Sequence, residues 1–174
     1  HMGLPLPLAI AHGAGVAGLI GMLLERLIIR HLYSRPLDTI VATWGISMIV
    51  TQGTLIVLGS TMQGTGTPFG SFMVGNYSYS VYRMVLMGMA LATLAALWLV
   101  FTRTRFGVLA RATIQVPHIA QALGVNTGLI YSLTFGLGAA LAGLAGGLYA
   151  PTMTLVPTMG SAFIVEAFVT VVIG

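Results

Sequence analysis

Side chains able to hold charge, pass protons or bind ions are scarce in this chain. Its acids are Glu25, Asp38 and Glu166, its histidines are His1, His12, His31 and His118, and its only basic residues otherwise are seven arginines, with no lysine and no cysteine. An intramembrane enzyme needs a buried acid pair, a Ser-His or Ser-Lys arrangement, or a zinc motif. The three acids stand apart along the chain, Ser-Lys chemistry is excluded outright, and no second histidine lies at metal-ligand spacing from His12, which reads as a packed or hydrogen-bonded structural residue. The missing cysteine also removes disulfide scaffolds, thiolate metal sites and thiol catalysis, and leaves the redox compartment open. Gly64, Gly66 and Gly70 form a glycine-rich stretch without a following Lys-Ser or Lys-Thr, so a phosphate cradle is not expected there. No catalytic residue, cofactor or metal is expected. The formal charge of +4 rests on arginines at the edges of apolar runs, a pattern that fits membrane topology better than a nucleic-acid surface.

The elements that hold these residues are apolar. Hydrophobic residues make up 57% of the chain and charged ones 6%, against about 25% charged in soluble domains. Apolar stretches run over Leu6–Leu24, Thr39–Gly59, Met84–Phe101, Leu129–Ala150 and, incompletely, Ala162–Gly174. A helix of about 20 residues crosses the roughly 30 Å hydrocarbon layer, and the runs lack the alternating polarity of barrel strands. The expected fold is all-α, a polytopic transmembrane helical bundle of about four to five spans.

Six of the seven arginines fall in two connections, 25–35 and 103–126. Positive residues stay in the cytoplasm, so these loops are expected inside and the connections Ser60–Tyr82 and Pro151–Ser161 outside.

Within the spans, Thr43, Ser47, Thr51, Gln52 and Thr54 are candidate pathway groups, with the hydroxyls three or four residues apart on one helix face. The competing reading has each hydroxyl bonding a carbonyl of its own helix. Glu166 is the acid within an apolar run that is not beside a basic loop, and it either meets the ammonium group of an arriving solute near the outer interface or sits there incidentally. Ala139, Gly143 and Gly147, with Gly136 and Ala140 offset beside them, form a small-residue face for close helix packing. Pro117 to Leu123, ending before Gly124, reads as one short helix in the second arginine-rich connection. Its bland interpretation is a surface helix that joins two spans.

The stretch Thr102–Pro151, TRTRFGVLARATIQVPHIAQALGVNTGLIYSLTFGLGAALAGLAGGLYAP, resembles the permease subunits of bacterial branched-chain amino acid ABC importers. So do the ERL at Glu25–Leu27, the RPL at Arg35–Leu37, the TWGIS at Thr43–Ser47, and Pro157, Met159, Gly160 and the EAFVTVVIG at Glu166–Gly174. The resemblance implies that residues 3–174 are part of one transmembrane permease domain, truncated at the C-terminus and at the N-terminus, after a tag remnant at 1–2. It implies a coupling segment, with Arg111, Pro117, Ala120, Leu123 and Gly124 meeting a separate ATP-binding cassette subunit. Val116 and His118 stand where the family often has an asparagine cap and an acid. The implied partners are the ATPase subunits, a second permease subunit, a periplasmic substrate-binding protein and the lipid of the bacterial inner membrane. The implied cargo is a branched-chain or related small amino acid. The alternatives are a permease of the same family for urea, short amides or other small solutes, and a channel or structural membrane subunit.

Overall fold

A computed structural model describes residues 6–32, 35–59, 71–74, 77–152 and 159–173. Seven α-helices are described: α1 (Leu6–Leu27), α2 (Pro36–Leu58), α3 (Val81–Arg103), α4 (Arg105–Gln115), α5 (Pro117–Ala122), α6 (Thr127–Tyr149) and α7 (Met159–Ile173). Four of them, within Leu8–His31, Leu37–Val57, Val81–Arg103 and Thr127–Thr152, are long and apolar enough to cross a membrane. The all-α polytopic architecture expected from the apolar runs is therefore present. The glycine-rich residues Gly64, Gly66 and Gly70 lie outside the described residues.

Local chemistry sets the helix ends. Pro36 opens α2, where its missing N–H is not needed. Asp38 adds a negative charge to the first turn, and Thr39 donates to the Leu32 carbonyl at 2.8 Å. Gly59 ends the helix at φ 76°, with its N–H on Leu55 O. Arg103 lies in the last turn of α3, where a cation offsets the helix dipole. Asn126 caps α6 by accepting the Leu129 N–H at 3.1 Å.

Between α2 and α3 a short antiparallel hairpin pairs β1 (Ser71–Val74) with β2 (Tyr77–Ser80), in the register Ser71↔Ser80 to Val74↔Tyr77. Strands of four residues are too short to stand out as alternation in the sequence.

The centre of the packing is the antiparallel pair α1 and α6. A Cβ added to Gly147 would meet Ile10, one at Gly143 would meet Ala17 and Ala14, one at Gly18 would meet Ala140, and one at Gly136 would meet Met22. These pairings descend α1 as they ascend α6, so the two backbones run in close contact along most of their length. Small residues permit that approach, and dispersion over the long seam replaces contacts with lipid. α2 and α3 turn most large apolar side chains outward, Trp44, Ile49, Val57, Leu91 and Trp98 among them. Tyr82 at the start of α3 is fully buried, and its hydroxyl donates to Leu148 O at 2.5 Å, tying α3 to the end of α6. A T-shaped contact of Tyr149 with Phe163, 6.0 Å between ring centres, links α6 to α7.

Candidate functional site: a helical arm and a buried carboxylate

The second arginine-rich connection is more ordered than the sequence suggested, because two helices fill it. Thr104 donates to Val100 O at 2.5 Å and accepts the Gly107 N–H at 3.4 Å, so it stops α3 and starts α4 at one corner. Gly107 lets the chain fold back there, since a Cβ would stand 2.1 Å from Phe101 O. Phe101 and Phe106 stack at a tilt across the corner, 6.1 Å apart. The inner face of α4 is Gly107, Ala110 and Thr113, all buried, at a spacing of three. Thr113 Oγ1 has no hydrogen-bond partner among the described residues.

Pro117 opens α5 behind Val116, which offers no side-chain cap. At the other end Gly124 takes φ 83°, its N–H meets Gln121 O at 2.9 Å, and the Val125 N–H meets Ala120 O at 3.0 Å. This pair of bonds closes the helix on its last free carbonyls, and a residue with a Cβ would be strained at position 124. Gln121 Nε2 then donates to Thr127 Oγ1 at 2.9 Å, so α5 and the first turn of α6 form one hydrogen-bonded unit.

The expected coupling residues separate into two groups. Arg111, Leu123 and Gly124 are exposed and Pro117 is half-buried, whereas Ala120 is only 4% exposed and faces inward. Ala120 is therefore no part of a free docking surface, and its small side chain serves packing. The outward apolar groups include Ile114, Ile119 and Leu123, the last 79% exposed. They lie outside the four spans, where large apolar side chains open to water are unfavourable.

The expected packing residues face α1. Gly143 meets Ala17, Ala139 lies where a Cβ on Gly21 would clash, and Gly147 meets Ile10. The same stripe carries a residue pair that sequence reasoning left apart. Glu25, expected in a loop, lies within α1, is fully buried and accepts a hydrogen bond from the Ser132 hydroxyl. Ser132 also lies 3.1 Å from Gly128 O. The signal was present in the spacing: Gly18, Gly21 and Glu25 share one face of α1, and Ser132, Gly136 and Ala140 share one face of α6. Asp38 is not alone either, since it faces Arg35 at 3.7 Å in an exposed pair, of the kind that contributes little. His12 is exposed on α1, which departs from the packed role expected of it.

Three threonine hydroxyls of α2 bond within their own helix, Thr43 to Ile40 O at 2.9 Å, Thr51 to Ser47 O at 2.8 Å and Thr54 to Val50 O at 2.8 Å. Thr43, Ser47 and Thr51 also line a cleft of about 270 Å³ that Leu24 of α1, Ile29 just beyond the end of α1 and Phe135 of α6 close. Gln52 is exposed and is not among the cleft residues. Glu166 is exposed seven residues into α7, about 10 Å from the helix start. A larger cleft of about 620 Å³ opens between α3 and α6, with Arg83, Tyr149 and Thr152 at one end and Leu86, Ala90 and Leu141 further in.

Four apolar spans, the first and fourth joined by a small-residue seam, with a two-helix arm between the third and fourth, define a polytopic α-helical membrane protein. Residues 1–174 match the family described as branched-chain amino acid transport system, permease component, and the chain belongs to that family. It is 28% identical over 180 residues to the probable branched-chain amino acid transport permease protein LivH of Methanocaldococcus jannaschii, covering 98% of this chain and 55% of that protein. It is also 28% identical over 167 residues to the high-affinity branched-chain amino acid transport system permease protein LivH of Escherichia coli K12, covering 91% of this chain and 54% of the relative. The chain thus spans about half the length of the curated relatives it matches. No solved structure matches it.

Proposed function

We propose that the chain is the membrane-embedded core of an ATP-binding cassette importer subunit that moves branched-chain or related small amino acids into the cytoplasm. The observation that carries this reading is the arm: α4 and α5 lie between two spans, at the arginine-bearing end, and present Ile114, Ile119 and Leu123 outward. An apolar surface on a short, well-tied helix suits a groove on a partner protein. In this reading the partner is the ATPase subunit, and the arginine-rich connections face the cytoplasm of a bacterial inner membrane. Closure of the ATPase pair moves α5, and the spans switch between outward and inward access. Hydrolysis belongs to the separate subunit. A second permease subunit completes the pathway, and a periplasmic binding protein delivers the solute.

Thr43, Ser47 and Thr51 are proposed to line the route, because their cleft carries hydroxyls among apolar walls, with Gln52 and Glu166 as further polar groups along it. The test is reconstitution of the complete permease with its ATPase subunits, its partner permease and its binding protein in proteoliposomes. ATP-dependent accumulation of labelled leucine, blocked by Ile119→Glu while membrane insertion persists, is the expected result. Accumulation of urea or acetamide in place of leucine would move the substrate within the family. Downhill flux without ATP would replace the importer by a channel.

A further inference from the structure

A carboxylate enclosed between two spans is unfavourable unless its oxygens are hydrogen-bonded, so Glu25 calls for a reason. The α1/α6 seam that runs on from it is built of Gly18, Gly21, Met22, Gly136 and Ala139. Such residues let two backbones approach closely, and a polar pair between them adds a directional contact that apolar packing lacks. A buried hydrogen bond selects a single register. The Glu25–Ser132 bond crosses this seam at the end nearest the arm.

The bonds on either side of it form a continuous path. α5 is tied to the start of α6 through Val125 N–Ala120 O, Gly124 N–Gln121 O and Gln121 Nε2–Thr127 Oγ1. Ser132 follows in the second turn of α6. Glu25 then lies across from it in the last two turns of α1, and the guanidinium of Arg30 lies over Gly128 just beyond. We propose that the Glu25–Ser132 bond pins α1 to α6, so that a displacement of α5 moves both spans as one body. The inference rests on the coupling role proposed above. Glu25 and Ser132 act as positioning residues, since their work is to transmit motion and not to touch the solute.

The experiment measures leucine uptake and ATP hydrolysis in the same proteoliposomes, with the complete importer. Glu25→Ala is expected to leave an assembled, ATP-hydrolysing complex whose uptake per ATP falls about tenfold, the scale of losing a buried hydrogen bond. Ser132→Ala lowers the ratio in the same direction, while Glu25→Gln, which keeps an oxygen to accept from Ser132, retains most of it. A mechanical pin also predicts rescue by a different fastener. The chain has no cysteine, and a Cβ at Gly18 would lie 3.0 Å from Ala140 Cβ, near the roughly 3.5–4.5 Å that a disulfide spans. In the Glu25→Ala background, oxidised Gly18→Cys/Ala140→Cys should recover coupled uptake and reduction should abolish it. Wild-type coupling in both Glu25→Ala and Ser132→Ala overturns the pin and leaves the importer standing. Arrest of uptake by the oxidised pair in the otherwise wild-type protein overturns it too, because the two helices would then have to slide. Failure of the unmodified complex to accumulate leucine overturns the importer reading and this inference with it. If the cysteine pair prevents assembly, the Glu25 and Ser132 single variants decide.

Discussion

Gly107 and Thr113 lie on the same buried face of α4 and carry opposite consequences. At Gly107 the backbone of Phe101 occupies the space of a side chain, so Gly107→Ala must push α4 away from α3. Overpacking of this kind costs about 1–3 kcal/mol, and thermal unfolding in detergent should show the loss. Thr113 buries a hydroxyl without a partner among the described residues. Leaving such a group unsatisfied costs about 1–3 kcal/mol, so Thr113→Val, similar in shape and without the hydroxyl, is expected to hold or raise the melting temperature. A marked drop would mean that Thr113 finds a hydrogen bond in the assembled transporter. Neither residue was legible in advance, since a glycine and a threonine in a polar-flanked connection look alike whether buried or free.

Among the elements, the spans were the most legible, because about 20 apolar residues in succession have few other uses. The small-residue stripe on α6 was legible too, but its partner was not: Ala139, Gly143 and Gly147 mark a face without saying which helix meets it. α4 escaped notice for a physical reason. Its fully buried positions hold small residues, while of its large apolar side chains Val108 and Ile114 are exposed and Phe106 and Leu109 are only half-buried, so no run of large apolar residues marks the buried face. Glu25 was hidden by its neighbours Arg26 and Arg30, which make the segment read as a loop, although the helix runs to Leu27. The seam itself predicts a contrast between two glycines of α6. A Cβ at Gly143 would lie 2.6 Å from Ala17 Cβ, whereas one at Gly138 meets nothing within 4 Å. Gly143→Leu should therefore separate α1 from α6 and lower the melting temperature, while Gly138→Leu should be near neutral. Equal effects would place the close seam elsewhere.

For the whole molecule, the arginine asymmetry and the arm argue for one orientation. Glu25 with Ser132 and Arg30 over Gly128 bring the first arginine-rich connection beside the start of α6, so both connections share an end of the bundle. A cysteine placed at Gln115 should be protected from an impermeant thiol reagent in intact cells, and one at Thr152 should react. Ser34 and Thr67, equally natural positions for such labels, lie outside the described residues. What the whole account depends on is that the exposed apolar side of α5 meets the ATPase subunit. A single cysteine at Leu123, introduced into the complete importer with no other cysteine in this chain, measures that contact directly through a short thiol cross-linker and cysteines along the ATPase groove. A cross-linked product whose yield changes when ATP binds is the expected result. The contradictory result is an assembled, active transporter in which Leu123→Cys forms no cross-link to the ATPase subunit and is labelled from outside the cell.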